Sequence, residues 1–320
     1  MRLALPILTL IAATAGAPTA APAQDYPTRP ITLVVPYAAG GGNDAMARIV
    51  ADKMSKTLGQ QIVIENRGGA GGSIATRAVV KAPSDGYTLV LGGTGTLAIN
   101  PTLYGNVGYD PRKDFAPVGL IGTSALVVLV HPSLPARSIG ELIALAKAQP
   151  GRINYASAGS GSGIHLATEL FQFMAGIKLT HIPYKGSGPA LTDLIGGHVN
   201  IYFSSLPPAQ GVAKDGKVRA LAVTGATRSA VLPDLPTVAE AGLPGFEAVL
   251  HYGIVAPAGT PRPIIGKLNA ALRGHTAAIC SMAMTASVSA PPWPPSASGM
   301  VMPISPCSLM SLATSKGKRG

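Results

Sequence analysis

The 320-residue chain has few cysteines, few aromatic residues and few charges. Both cysteines, Cys280 and Cys307, lie close to the C-terminus, so the main body must gain its stability from packing rather than from disulfides. Aromatic residues make up 5% and charged residues 12%, which excludes a solvated, highly charged tail protein. The net charge is +11, but the basic residues do not cluster as they do in nucleic-acid-binding proteins. No apolar run reaches the roughly 18 residues of a membrane span, and the composition predicts a globular, loop-rich protein.

The N-terminus carries the pattern of a secretory signal. A short basic start at Arg2 precedes an apolar stretch, and small residues lead to Ala21-Pro22-Ala23. This pattern predicts that residues 1–23 are a signal peptide, cleaved near Ala23, and that the mature chain is periplasmic.

Short apolar runs of strand length alternate with amphipathic runs of helical spacing along most of the chain. The run at 31–36 is followed by helical spacing over 44–58, and the alternation restarts at Ile139. Such alternation indicates βαβ units and mainly parallel sheets. Two series of about 100 residues each, joined by strand-like runs near 120–130 and 252–257, predict two α/β lobes with a cleft between them.

Three glycine-rich loops each lie between a predicted strand and a predicted helix, at 40–42, 68–72 and 159–163. The start of a helix presents unpaired amides and the positive end of its dipole, and glycine lets a ligand approach the backbone closely. With nearby hydroxyls such as that of Thr94, the loops predict a site for a carboxylate or phosphate that needs no paired arginine. For any one loop, a tight turn without a ligand is the alternative. Asp44 stands where its charge would stabilise a helix N-terminus.

Named nucleotide-binding and catalytic motifs are absent from the sequence. No glycine cluster matches a P-loop or a dinucleotide fingerprint, and Ser160 and Ser162 do not stand in a G-x-S-x-G elbow. The 6 histidines form no H-E-x-x-H pattern, and His165 with Glu169 has no third metal ligand. We therefore expect that the protein binds no metal and no cofactor and that it is not an enzyme. A hydrolase that uses the serine-rich loop 157–163, with His165 as base, remains the alternative.

Several long segments resemble one family of proteins. They include PSDGYTLVLGGTGTLAINPTLY at 83–104, INYASAGSGSGIHLATELF at 153–171 and HIPYKGSGPALTDLIGGHVNIYF at 181–203. The resemblance begins at about Tyr26 and ends at about Arg273. The family is the Bug family, the periplasmic solute-binding proteins associated with tripartite tricarboxylate transporters.

The resemblance implies a two-lobed α/β architecture of the periplasmic-binding-protein type, a type II-like Venus flytrap that closes on a small carboxylated solute. Lobe 1 would comprise residues 24–124, with part of 250–274 returning to it, and lobe 2 would comprise residues 125–249. The protein would be a monomer that delivers its solute to the membrane subunits of the transporter, with no nucleic-acid partner. A ligand sensor acting on a membrane kinase is a further hypothesis.

The resemblance also implies ligand-binding roles for loops of both lobes. In the family these loops hold the carboxylate largely through backbone amides, hydroxyls and waters. Carried over residue by residue, the expected ligand-binding residues are Tyr37, Ala39, Gly41, Asn43, Asp44, Thr94, Ser157, Gly159, Ser160, Ser162, Tyr184 and Ser204. Mono-, di- and tricarboxylates, amino acids and aromatic acids all remain open as the solute.

The resemblance ends near Gly274, and residues 275–320 differ sharply in composition. They contain no Asp or Glu, both cysteines and the single tryptophan, Trp293. Such a break is typical of a shifted reading frame or of a genuine low-complexity extension, and both interpretations stay open. Cys280 and Cys307 would be free to pair after export.

Overall fold

The computed structural model describes residues 26–274. The predicted signal peptide, the segment 275–320 and both cysteines lie outside the described residues, so the inferences about them stay predictions. Within 26–274, no helix combines the length and the apolar character that a membrane crossing requires.

Helices and strands alternate through the described residues, as the periodicity predicts. The first part contains β1 (Ile31–Val35), α1 (Gly42–Leu58), β2 (Ile62–Asn66), α2 (Ser73–Val80), β3 (Thr88–Gly93), α3 (Asn100–Leu103) and β4 (Phe115–Val130). The second part contains α4 (Ile139–Ala148), β5 (Asn154–Ser157), α5 (Gly163–Ala175), β6 (Thr180–Pro183), α6 (Ser187–Ile195), β7 (Ile201–Ser205), α7 (Leu206–Lys214), β8 (Arg219–Val223), β9 (Val249–Pro257) and α8 (Arg262–Arg273).

Helix α1 shows how the sequence specifies these elements. Met46, Val50 and Met54 recur at four-residue spacing and are all buried, so one face of the helix packs against the sheet. The helix ends at Gly59, which adopts the left-handed conformation (φ 68°) and donates its amide to the carbonyl of Ser55.

The strands form one sheet in the order β2-β1-β3-β9-β4-β7-β5-β6, with β8 also paired to β4. Pairing is parallel among β1, β2 and β3 and among β5, β6 and β7, whereas every pair that includes β4 or β9 is antiparallel. The two apolar runs between 115 and 132 are one strand of 16 residues. Because β4 and β9 run antiparallel to each other and to the strands on either side of them, the sheet is mixed rather than mainly parallel.

The two halves of this sheet are the two lobes of the fold. Strand β4 pairs with β9 through Phe115–Ala125 and with β7 and β8 through Leu126–Val130. Lobe 1 consists of β1–β3, β9 and the first part of β4 with their helices, and lobe 2 consists of β5–β8 and the last part of β4 with theirs. The limits 24–124 and 125–249 stay predictions.

Three phenylalanine rings form the centre of the lobe 2 core. The ring of Phe171 on α5 lies edge-on to Phe203 on β7 and to Phe246, with centroids 5.6 and 5.9 Å apart. Phe171 is fully buried, whereas Phe173 on the same helix is 84% exposed.

Replacing Phe171 with alanine should therefore lower the free energy of unfolding by about 3–5 kcal/mol, because it removes buried apolar surface and leaves a cavity. Phe173→Ala is the matched control and should change it by no more than about 0.5 kcal/mol. Urea denaturation of both variants measures the difference; similar losses would contradict this packing.

Candidate functional site

A small cavity lies between the lobes where their strand-to-helix loops face each other. Its volume is about 20 Å³, enough for roughly one water molecule. It is lined by Tyr37, Asn43, Gly93, Thr94, Gly95, Ala158, Ser162, Gly163, Ile164, Leu250, His251 and Tyr252. Both lobes therefore contribute to one site.

The polar groups around this cavity suit an anion. Helix α1 starts after Gly41 without a capping side chain, and helix α5 starts after Ser162, whose hydroxyl accepts the His165 amide at 3.2 Å. Among the described lining residues none is Lys or Arg. A negative group here would be held by main-chain amides, hydroxyls and the positive ends of two helices.

On the lobe 1 side, Tyr37 and Thr94 are fixed by hydrogen bonds. The Tyr37 hydroxyl donates to the carbonyl of Gly71 at 3.1 Å, and burial raises its pKa, so the phenol stays neutral. The Thr94 hydroxyl accepts the amide of His251 at 2.9 Å. This bond ties the loop after β3 to strand β9.

Asp44 lies beside the cavity rather than in its lining. Its Oδ2 accepts the Gly40 amide at 3.1 Å and the Arg48 Nε at 3.1 Å. Burial acts to raise the pKa of Asp44, but the hydrogen bonds from Arg48 and Gly40 outweigh it and keep the pKa below its usual value. The carboxylate thus shapes the loop before α1 and stabilises the start of that helix.

On the lobe 2 side, the hydroxyls of several expected ligand-binding residues form hydrogen bonds within their own lobe. Ser157 is fully buried, and its Oγ lies 2.6 Å from His181 Nε2. The Tyr184 hydroxyl donates to Asp193 at 2.6 Å, and Ser204 donates to its neighbour's carbonyl at 3.1 Å.

The serine-rich loop does not form the catalytic pair that a hydrolase needs. The His165 ring accepts the Gly161 amide through Nδ1 at 3.3 Å, not a serine hydroxyl. Ser157, which does meet a histidine ring, has no exposed surface. Neither arrangement presents an activated serine to the cavity.

The glycine clusters of the two lobes touch across the cleft. A Cβ on Gly42 would lie 1.9 Å from Ser205 Oγ, and a Cβ on Gly71 would lie 2.1 Å from the carbonyl oxygen of Ser160, whereas real Cβ atoms essentially never approach within 3.0 Å. Atoms of the opposite lobe fill the same position at Gly41, Gly68, Gly186 and Gly188. Glycine is therefore required for the lobes to come this close.

Two hydrogen bonds join the lobes at the same place. The amide of Ala38 donates to the carbonyl of Lys185 at 3.0 Å, and the Tyr104 hydroxyl donates to the carbonyl of Ser160 at 2.7 Å. The expected ligand-binding residues Ala39 and Gly159 lie within this contact, against Gly188 and Gly71 respectively.

Sequence reasoning missed Leu250 and Tyr252 on β9 and two buried hydroxyls, those of Ser187 and Tyr202. Neither hydroxyl has a hydrogen-bond partner among the described residues, although Ser187 lies near enough to oppose the burial-driven rise in the pKa of Tyr202. Ser187 stands in a glycine cluster visible in the sequence, whereas nothing in the sequence places β9 beside the cleft.

The chain matches the model of the tripartite tricarboxylate transporter family receptor over residues 46–301. It belongs to this family. The match begins after Tyr26 and continues past Gly274, the two limits that we expected for the resemblance.

Three solved structures of binding proteins are similar to this receptor over most of their length. Rpa4515 of R. palustris, solved with adipate, is 43% identical with a TM-score of 0.76, over 78% of this chain and 84% of that chain. The periplasmic binding protein BugD is 39% identical with a TM-score of 0.76, over 80% and 87%. MatC from Rhodopseudomonas palustris, solved with malate, is 39% identical with a TM-score of 0.74, over 77% and 84%. The predicted Bug-family membership and two-lobed binding-protein fold are confirmed.

Gly42→Ala should keep this receptor's lobes apart, because the new methyl group would meet both Oγ and Cβ of Ser205, and only the first can rotate away. We expect a larger radius of gyration by small-angle X-ray scattering. Gly211→Ala on α7 is the control, since a Cβ there meets nothing within 4 Å. It should leave the scattering unchanged and add up to about 1 kcal/mol of stability. Identical scattering from both variants would argue against glycine-dependent closure.

Proposed function

We propose that this receptor captures a small carboxylate-containing solute between its lobes and presents it to the membrane subunits of a tripartite tricarboxylate transporter. The observation that carries the proposal is a cavity between the lobes to which both contribute residues of their strand-to-helix loops. The relatives solved with adipate and with malate support a carboxylate as the ligand.

The solute enters when the lobes move apart, since the cavity between them holds about 20 Å³. Closure then surrounds the carboxylate with the amides at the starts of α1 and α5. Excluding water strengthens each hydrogen bond to the anion. A ligand that contacts both lobes favours the closed state by its extra contacts there, which shifts the population toward closure.

Direct contact with the solute falls, in this proposal, to the residues nearest the cavity and the lobe contact. These are Tyr37, Ala39, Gly41, Asn43, Thr94, Gly159, Ser160 and Ser162. Asp44, Ser157, Tyr184 and Ser204 hold the surrounding loops through the hydrogen bonds described above.

The same proposal includes the cellular setting. Residues 1–23 direct export, and the mature chain acts as a monomer in the periplasm, where BugD is a binding protein. Its lobes comprise 24–124 with part of 250–274, and 125–249.

Isothermal titration calorimetry of the mature protein with adipate and with malate tests the function. We expect saturable one-site binding of at least one acid, and binding at least about tenfold weaker for the matching diamides, which cannot form charge-assisted hydrogen bonds. Equal affinity for acid and amide would contradict a carboxylate site. Conversion of the acid, followed by NMR of the mixture, would favour an enzyme instead.

A further inference from the structure

Two histidine rings and a tyrosine ring form a stack behind the serine-rich loop 157–162. His165 on α5 and His181 on β6 lie face to face, with centroids 4.2 Å apart and planes 25° apart. The ring of Tyr155 on β5 is nearly parallel to both, with its centroid 4.8 Å from that of His181 and 6.5 Å from that of His165. The stack is not part of the cavity lining and has no role in the site described so far.

Each histidine holds one part of the loop by a hydrogen bond. His165 Nδ1 accepts the amide of Gly161 at 3.3 Å. His181 Nε2 lies 2.6 Å from Ser157 Oγ, which in turn accepts the Gly159 amide at 3.1 Å. Ala158, which follows Ser157, and Ser162, which follows Gly161, reach the cavity.

The bond from Gly161 requires a neutral His165 ring. A backbone amide is always a donor, so Nδ1 must be unprotonated and the ring proton must sit on Nε2. If Nδ1 were protonated, its N–H would face the N–H of Gly161, and the hydrogen bond between them would be lost. Because the two rings are stacked, a charge on either one also opposes a charge on its neighbour.

The groups that surround the stack act in opposite directions on its protonation. Glu169 Oε1, 3.9 Å from His165 Nε2, favours the charged ring, but it is also engaged by the Tyr155 hydroxyl and by Gln172 at 2.7 Å. Across the cleft Tyr104 faces the loop as a neutral phenol that donates to Ser160.

Burial affects the pKa of His165 more strongly than Glu169 does. It lowers the pKa of His165 below the usual value, and burial together with the neighbouring His165 lowers the pKa of His181 to about 4. Both rings are neutral at pH 7, as the bond from Gly161 requires.

We propose that His165 and His181 are positioning residues for solute binding, which together hold loop 157–162 in place while both rings are neutral, and that protonation of His165 releases the loop at Gly161. The proposal rests on the proposed function, since the loop matters through Ala158 and Ser162 at the cavity. Solute affinity should then fall on the acid side, over the interval in which His165 takes up a proton. That interval lies below pH 6.5, the usual value for a histidine.

The test is the dissociation constant of adipate and malate, measured by calorimetry between pH 8 and pH 4.5 in wild type and variants. In His165→Asn the side-chain oxygen can replace Nδ1 as acceptor for Gly161, and in His181→Gln the amide nitrogen or oxygen can replace Nε2 beside Ser157. Neither replacement titrates. His131 lies just after the end of β4 and is hydrogen-bonded to Ser133. His131→Asn is the control, because it removes a histidine that lies outside the stack.

At pH 8 both acceptor-keeping variants should bind the acid within about threefold of wild type, whereas His165→Ala should bind about tenfold more weakly, the cost of one lost hydrogen bond. From pH 8 to pH 4.5 wild type and His131→Asn should lose about tenfold more affinity than His165→Asn. Protonation of the acid itself is common to all proteins and cancels in this ratio.

The outcomes separate the two proposals. If no acid binds wild type at pH 8, the proposed function fails and this inference fails with it. If wild type binds at pH 8 but its pH profile runs parallel to that of His165→Asn, the positioning role alone is overturned. NMR of the Gly161 amide without ligand gives an independent check: its shift should follow the titration of His165, and a pH-independent shift would overturn the role.

Discussion

The lobes of this receptor meet at positions occupied by glycine, and the contact depends on the absence of side chains there. Gly41 and Gly42 lie against Ser187 and Ser205, and Gly71 lies against Ser160, at separations that leave no room for a Cβ. The same loops carry the amides and hydroxyls that line the cavity. Because the groups proposed to bind the solute and the contact surface belong to the same loops, a side chain that keeps the lobes apart also changes the site.

A site built from main-chain amides needs its loops held rigidly, since it has no long cationic side chain that can adjust to the anion. In lobe 1 that support comes from the carboxylate of Asp44 on the Gly40 amide. In lobe 2 it comes from Ser157 and the stacked histidines. Buried groups of this kind hold the loops of the site in place: Ser157, Tyr184 and Ser204, which the resemblance assigns to the ligand, form hydrogen bonds within their own lobe.

Periodicity predicted most of the elements, because burying one face of a helix or strand leaves a local mark on the sequence. The strand at 31–35 and the helix that ends at Leu58 follow from such local patterns. The pattern did not show that the runs between 115 and 132 are one strand, nor that β9 pairs antiparallel with it. Strand direction depends on which distant partner supplies the hydrogen bonds, and hydrophobic spacing carries no information on that partner.

For the site, the sequence by itself determined the family, the glycine-rich loops and their place between strands and helices. It could not show which residue of the other lobe each glycine contacts. Gly71 and Ser160 lie far apart along the chain, and so do Ser157 and His181; only the tertiary structure brought each pair together. The physical reason is that a glycine at a turn and a glycine at a close contact cannot be distinguished in the sequence, because both lack a side chain. Only the neighbouring atoms that occupy the space show which of the two a glycine is.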